Sequence, residues 1–328
     1  MSRFRSLSSS CAISGRKPDL SRTPSIALVL VALLGAACFA APHRFEYSQV
    51  AMGVRARIVL YAEDEASAQK AATAAFERIA ALEDIMSDYR PTSELNRLCR
   101  EAGGPPVKVS PELLHILLNA QYLSARSGGA FDVTVGPLVK LWRTARKSGI
   151  LPTPAERIAA KRLVGRRKMT IDPKGSTVRL AVPGMKLDLG GIAKGYACDE
   201  AIRALKEQGI ESTLVEMGGD IVVSKSPPGT DGWEIQVAGK TMELENKAVS
   251  SSGDTEQFVE IGGKRYSHIV DPRTGLGLTN RIAVTIIAPN GVTSDGLSTA
   301  LSMLGEEKGR ALLKSYPGVQ AYIRRAKD

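Results

Sequence analysis

The stretch Asp188-Leu-Gly-Gly-Ile-Ala-Lys-Gly195 opens a helix that runs to Gly209, and two apolar runs follow it, Ser212-Thr-Leu-Val-Glu-Met217 and Asp220-Ile-Val-Val-Ser224. Gly218-Gly219 makes a turn between the two runs. Helix gives way to sheet here, and further strands are predicted over 233–237, 245–250, 258–261 and 282–288 before two closing helices over 294–304 and 306–315. The mixture is α+β. The same stretch carries the first chemical signal: an acid, two glycines and a lysine on the first turn of a helix, where free N–H groups and a nearby cation suit a phosphate. It is neither a Walker loop nor GxGxxG, and its glycines alone would also serve an ordinary strand-to-helix turn.

Upstream, residues 45–61 alternate apolar Val54, Ala56, Ile58 and Leu60 with Arg55 and Arg57, the pattern of a half-buried hairpin turning through Gly53. Asp64 then caps a long helix whose stripe of Ala68, Ala71, Ala72, Phe76, Ile79, Leu82, Ile85 and Met86 ends near Ser87. Ser110-Pro111 starts another helix that reaches Ser127, ahead of Gly128-Gly129. Residues 149–186 are basic and irregular, with short strands over 168–172 and 178–182, and read as a solvated surface. No period of 20–50 residues recurs, which argues against a solenoid or propeller.

The 328 residues include 43% hydrophobic and 24% charged side chains, and the mean hydropathy is -0.07, so the chain is a soluble globular protein with a leader. Arg3, Arg5, Arg16, Lys17 and Arg22 precede an apolar run from Ile26 to Ala41, an export signal shorter than a bilayer span. Residues 1–41 are therefore expected to be a leader and residues 43–328 the working domain. Cleavage after Ala40, lipidation at Cys38 and an uncleaved anchor at the inner membrane are the three readings of its end, and each places the domain in the periplasm. The net charge of +10 falls to +6 without the leader's five bases and one acid, a surplus that suits an anionic ligand. No basic run is interleaved with aromatics, so nucleic acid is not expected as a partner. Cys99 and Cys198 are the two body cysteines; they could pair or stand as separate buried thiols, and neither has a metal-ligand spacing.

Three further segments carry candidate chemistry. Asp295 and Thr299, at i and i+4 near the start of a helix, project from one face, and a carboxylate with a hydroxyl is a usual oxygen pair for Mg²⁺. Helix-dipole complementation by Asp295 with a packed Thr299 is the plainer reading of that segment alone. His268, in Tyr266-Ser-His-Ile-Val-Asp-Pro-Arg-Thr-Gly275, is the well-placed histidine; His43 and His115 are incidental. No nucleophilic serine or cysteine motif accompanies it, so a hydrolase triad has little support.

Taken in order, these segments resemble the ApbE family of flavin transferases. The resemblance runs from Met52-Gly53 through Met86-Ser-Asp-Tyr89-Arg-Pro-Thr-Ser-Glu-Leu95, Ala130-Phe-Asp-Val-Thr-Val-Gly-Pro-Leu-Val-Lys-Leu-Trp142 and Asp188-Leu-Gly-Gly-Ile-Ala-Lys-Gly195. It continues through Gly218-Gly-Asp-Ile221, Ser251-Ser-Gly-Asp254, His268-Ile-Val-Asp-Pro-Arg-Thr-Gly275 and Asp295-Gly-Leu-Ser-Thr299, and covers about residues 45–325. Val54 stands where threonine is common and Gly296 where alanine is usual. The resemblance implies a mixed-sheet core with flanking helices, and FAD as substrate in a cleft touched by Met52, Tyr89, Ala130, Phe131, Asp132, Asp188, Lys194 and Ile269. It implies Mg²⁺ on Asp295, Thr299 and the Gly191 carbonyl. FMN would pass from FAD to a threonine or serine hydroxyl of an acceptor flavoprotein, releasing AMP, with His268 or the metal-bound Asp295 easing proton removal. The implied acceptors are flavin-carrying subunits of quinone reductase or Rnf-type complexes and related domains. An FAD pyrophosphatase giving FMN and AMP and a non-catalytic flavin-binding lipoprotein are the competing readings.

Overall fold

The computed structural model describes residues 41–253 and 258–325, so the leader, including Cys38 and Ala40, and the acid of Ser251-Ser-Gly-Asp254 lie outside the described residues. Seven antiparallel strands form the main sheet, in the spatial order His43–Ala51, Val54–Ala62, Thr213–Met217, Asp220–Val223, Lys247–Gly253, Ile282–Ala288 and Gln320–Arg325. Strand alternation sends successive residues to opposite faces. Ile58, Leu60, Val215, Val222, Ala248 and Ile286 enter the large core under the helices. Their neighbours Val59, Leu214, Val223, Val249 and Ile287 meet a second core with Trp233, Ile235, Val237 and Leu244, from the hairpin Trp233–Val237 and Lys240–Leu244. The sheet is thus covered on both faces, by helices on one and by a hairpin on the other.

The first hairpin turns on two residues, Met52 at φ 50° and Gly53 at φ 75°. Two positive φ values are what a tight turn between right-twisted strands demands, and glycine at the second supplies one without strain. The Asp64 carboxylate accepts from the Ser67 N–H at 2.7 Å and starts the helix Glu65–Met86; Ser110 and Pro111 likewise open Pro111–Arg126. Both match the sequence reading. Three helices escaped it, Glu94–Arg100, Gly136–Ser148 and Pro154–Arg162. The second of these opens on Gly-Pro and buries only three apolar side chains, Leu138, Trp142 and Ala145, which pack against Tyr266 and Val270 from far along the chain. The third has no buried residue and rests on a Thr153–Glu156 capping box, in keeping with a solvated basic surface.

The closing helix begins at Gly291 rather than Ser294, because Asn290 caps it and the Asp199 carboxylate accepts from the Gly291 and Val292 N–H groups at 2.6 and 2.9 Å. Asp295 therefore sits in the second turn, too far in for the helix-dipole role. The run continues to Leu313 but bends at Gly305, φ 74°, where the sequence separates two helices. Cys99 and Cys198 are separate buried thiols, which settles that alternative. Among the described residues no helix is long and apolar enough to cross a membrane.

The helices Ala193–Glu207 and Gly291–Leu313 meet backbone to backbone. A Cβ added at Gly195 would lie 2.1 Å from the Gly291 carbonyl oxygen, and one at Gly291 would lie 2.2 Å from that of Gly195. Gly195→Ala is expected to cost about 3 kcal/mol, since rigid backbone must move apart. Gly296→Ala, whose new methyl would crowd the tip of Leu123 at 2.8 Å and meet Ile192 at an ordinary 3.5 Å, should change stability by no more than ~1 kcal/mol, with alanine's better helix propensity as an offset. Urea unfolding of the two variants checks this, and equal midpoints would mean that the helix contact is not tight.

Candidate functional site

A cleft of about 680 Å³ opens between the hairpin turn, the two glycine-linked helices and the segment 268–272. It is lined by Met52, Tyr89, Phe131, Asp132, Asp188, Gly191, Lys194, His268, Ile269, Asp295 and Thr299, so the structure gathers these sequence-predicted site residues into one place. Ala130 is the exception: it is fully buried and does not line the cleft.

At one end the helix contact sets Lys194 beside two buried acids. The Lys194 ammonium donates to the Asp220 carboxylate, and the Gly195 N–H donates to Asp295 Oδ2 at 3.1 Å. Burial penalises the Lys194 charge, but Asp295 and Asp220 more than offset this and hold its pKa above the usual lysine value. Burial, with repulsion from Asp220, pushes Asp295 up to about 7 against the pull of Lys194 and of the Lys194 and Gly195 N–H groups. Two carboxyls thus face one ammonium. The helix start is less open to anions than its glycines suggest. The Gly190 N–H donates to Asp188 at 2.8 Å, those of Ile192 and Ala193 to the Leu189 carbonyl, and that of Gly195 to Asp295. The attraction for a phosphate rests on the Lys194 charge more than on the backbone.

The other wall is organised by Arg143, a residue just past the 130–142 motif. Its guanidinium donates to the Asp88 carboxylate and, at 2.9 Å, to Asp188 Oδ2, and lies 4.1 Å from the Tyr89 ring centre. Tyr89 is 72% exposed, and its ring is held as a flat plate by this stacking while its N–H donates to Ser87 Oγ at 3.2 Å. Burial and the Asp88 charge raise the Asp188 pKa, against Arg143. Asp132 is a strut: one oxygen accepts from the Thr134 N–H and hydroxyl at 2.9 and 2.7 Å, the other from the Arg166 N–H at 2.8 Å. His268 is half-buried between two anchored neighbours. The Ser267 N–H donates to the Leu278 carbonyl at 2.8 Å, and the Leu278 N–H to the Ile269 carbonyl at 2.9 Å. Trp142 braces this segment by packing on Tyr266 and donating to the Gly275 carbonyl at 2.9 Å.

The profile of the ApbE family matches residues 52–323, nearly the whole described chain. The chain belongs to the ApbE family. An FAD:protein FMN transferase of Vibrio cholerae is 36% identical over 244 residues, covering 71% of this chain and 72% of the relative. One from Klebsiella pneumoniae is 33% identical over 284 residues, covering 84% and 88%. The solved flavinyl transferase ApbE of Pseudomonas stutzeri superposes with a TM-score of 0.78 at 31% identity, over 88% of this chain and 92% of that one.

In this ApbE chain the donors at the lysine end fit a hard cation. Asp295 and Thr299 stand one helical turn apart, and Thr299 Oγ1 lies 3.0 Å from where a Gly191 Cβ would be, so a carboxylate, a hydroxyl and the Gly191 backbone converge. Among the described residues there is no cluster of three or more histidine, cysteine, aspartate or glutamate side chains of the kind a softer metal takes. An oxygen set carrying excess negative charge is the chemistry that magnesium prefers.

Without a cation, Asp295 holds its proton to about pH 7 when folded but releases it near 3.8 when unfolded. The folded state binds the extra proton between those limits, so this contribution to stability is intact below pH 3.8 and is lost as the pH rises through 7. Asp295→Asn should therefore be more stable than the parent at pH 8 in chelator and gain nothing at pH 4. Thermal unfolding at both pH values checks it; an equal difference at both would mean an ordinary carboxylate.

Proposed function

We propose that the protein transfers FMN from FAD to a threonine or serine hydroxyl of an acceptor protein and releases AMP. The observation that carries this is one cleft lined both by Lys194, which is paired with Asp220, and Asp295, and by the Tyr89 and Arg143 plate, in a chain of the ApbE family. The FAD diphosphate would lie against Lys194, whose charge is secure at any working pH, and the flavin or adenine ring against the exposed face of Tyr89. Phe131, Met52 and Ile269 supply apolar contact along the cleft.

The acceptor oxygen attacks the phosphorus of the FMN half. A bond forms from that oxygen to phosphorus, the phosphoanhydride bond to AMP breaks, and the hydroxyl proton leaves to His268, which lines the cleft. Mg²⁺, when bound by Asp295, Thr299 and the Gly191 carbonyl, would neutralise charge on the diphosphate. The protein residues then align the hydroxyl with the anhydride and keep the leaving phosphate beside Lys194. The leader supports a reaction outside the cytoplasm, in the periplasm, and any membrane attachment would be through the N-terminus. Flavin-carrying subunits of quinone reductase or Rnf-type complexes and related domains suit that location as acceptors.

Mass spectrometry of an acceptor domain incubated with the protein, FAD and Mg²⁺ should show a gain of one FMN on a hydroxyl. Asp295→Ala should lower the rate by about 10²–10³-fold and chelation should do the same. His268→Ala should lower it by about 10²-fold at neutral pH. An unmodified acceptor with free FMN and AMP would make the protein a pyrophosphatase, and intact retained FAD would make it a binding protein. Unchanged turnover in His268→Ala at every pH would remove the base.

A further inference from the structure

Alternate residues of the strand Lys247–Gly253 and every fourth residue of the helix Gly291–Leu313 face each other through hydroxyls. Ser250 Oγ lies 2.7 Å from Ser294 Oγ, and Ser252 Oγ lies 2.7 Å from Ser298 Oγ and 3.4 Å from Thr299 Oγ1. Two strand residues advance about 6.6 Å and four helical residues about 6 Å, so the repeats stay in step for two rungs.

Each hydroxyl has one hydrogen to give, and that fixes the direction of the chain. Ser294 donates to the Gly291 carbonyl at 3.1 Å and Ser298 to the Asp295 carbonyl at 2.9 Å, and carbonyls only accept. With those hydrogens committed, Ser250 and Ser252 are the donors to Ser294 and Ser298. Ser252, its hydrogen given to Ser298, meets Thr299 as an acceptor. The Thr299 hydrogen therefore points at Ser252, and the Thr299 lone pairs are left for the cleft, on the side where Gly191 closes against this side chain.

We propose that Ser252 is a positioning residue: relayed through Ser298 to the Asp295 carbonyl, it turns the Thr299 hydroxyl into a fixed oxygen ligand for the divalent cation of the transfer reaction. The proposal rests on the reading of Asp295 and Thr299 as the pair that holds the metal. Removing a partner that orients a metal ligand lowers metal affinity by about 10–100-fold. Ser252→Ala is expected to weaken Mg²⁺ by that factor, measured by isothermal calorimetry on the protein with FAD present. Ser252→Thr, which keeps the hydroxyl, should restore most of it, and Ser298→Ala, which frees the Ser252 hydrogen to compete for Thr299, should weaken Mg²⁺ in the same direction.

Asp295→Ala separates the two levels of the argument. If Mg²⁺ affinity is unchanged in Asp295→Ala, the metal reading itself fails and the proposal with it. If Asp295→Ala loses the metal while Ser252→Ala binds it as the parent does, the proposal alone is overturned. Equal weakening in Ser252→Ala and Ser252→Thr would assign the effect to packing and overturn it as well.

Discussion

The contact between Gly195 and Gly291 sets the distance on which the site depends. Each glycine presents its Cα to the other's carbonyl, a separation that any side chain would increase by ångströms. The contact is reinforced one turn on by Asp199, on the same helix as Gly195, whose carboxylate caps the start of the Gly291–Leu313 helix. Burial pushes Asp199 up to about 6, although two N–H donors pull it down, so it carries its charge at neutral pH where the helix start can use it. Because the two helices touch at this point, the residues that follow the glycines, Asp295 on one side, and those that precede them, Lys194 on the other, come within reach of each other. Lys194 is anchored by the Asp220 carboxylate, which the sheet strand Asp220–Val223 delivers.

Charge is divided between two poles of the cleft. At one, two acids surround a single ammonium and leave a deficit of positive charge; at the other, Arg143 answers both Asp88 and Asp188. The second pole is closed electrostatically and acts by shape, with the guanidinium holding Tyr89 flat. The first is open and acts by charge. A planar ring system suits the face of Tyr89, whereas a diphosphate would suit the lysine pole only with a divalent cation on its acids, and Phe131 and Ile269 add apolar contact within the same cleft.

The elements legible in the sequence were those whose signals are local. The hairpin through Met52-Gly53, the helix capped by Asp64, the helix after Ser110-Pro111 and the break at Gly305 all depend on residues within a few positions of one another. The helix Gly136–Ser148 was not legible, because its apolar face is completed by Tyr266 and Val270. The site divides in the same way. The spacing of Asp295 and Thr299 puts them on one helix face, though that segment alone also admits a helix-dipole reading, whereas Arg143 is one basic residue among several in its neighbourhood, and only the fold reveals that it faces two acids 55 and 45 positions away. Asp132 shows the opposite error of emphasis: it stands in a telling motif and lines the cleft, yet both its oxygens are committed to backbone and hydroxyl groups. Ala130, in the same motif, is fully buried and does not line the cleft.

The serine ladder follows from the charge state of the lysine pole. Asp295 is already raised to about 7 by burial and by Asp220. A further carboxylate placed to orient Thr299 would add repulsion and push the Asp295 proton affinity higher, which would oppose a cation at working pH. Hydroxyls order their neighbours without adding charge, and they do so at little desolvation cost because each is hydrogen-bonded. Serines at both positions of the strand and both of the helix also keep the sheet and helix close enough for 2.7 Å contacts. The short side chains that let the elements approach are thus the same ones that orient the oxygen ligand, and a bulky residue without a hydroxyl at any of the four would loosen packing and orientation together.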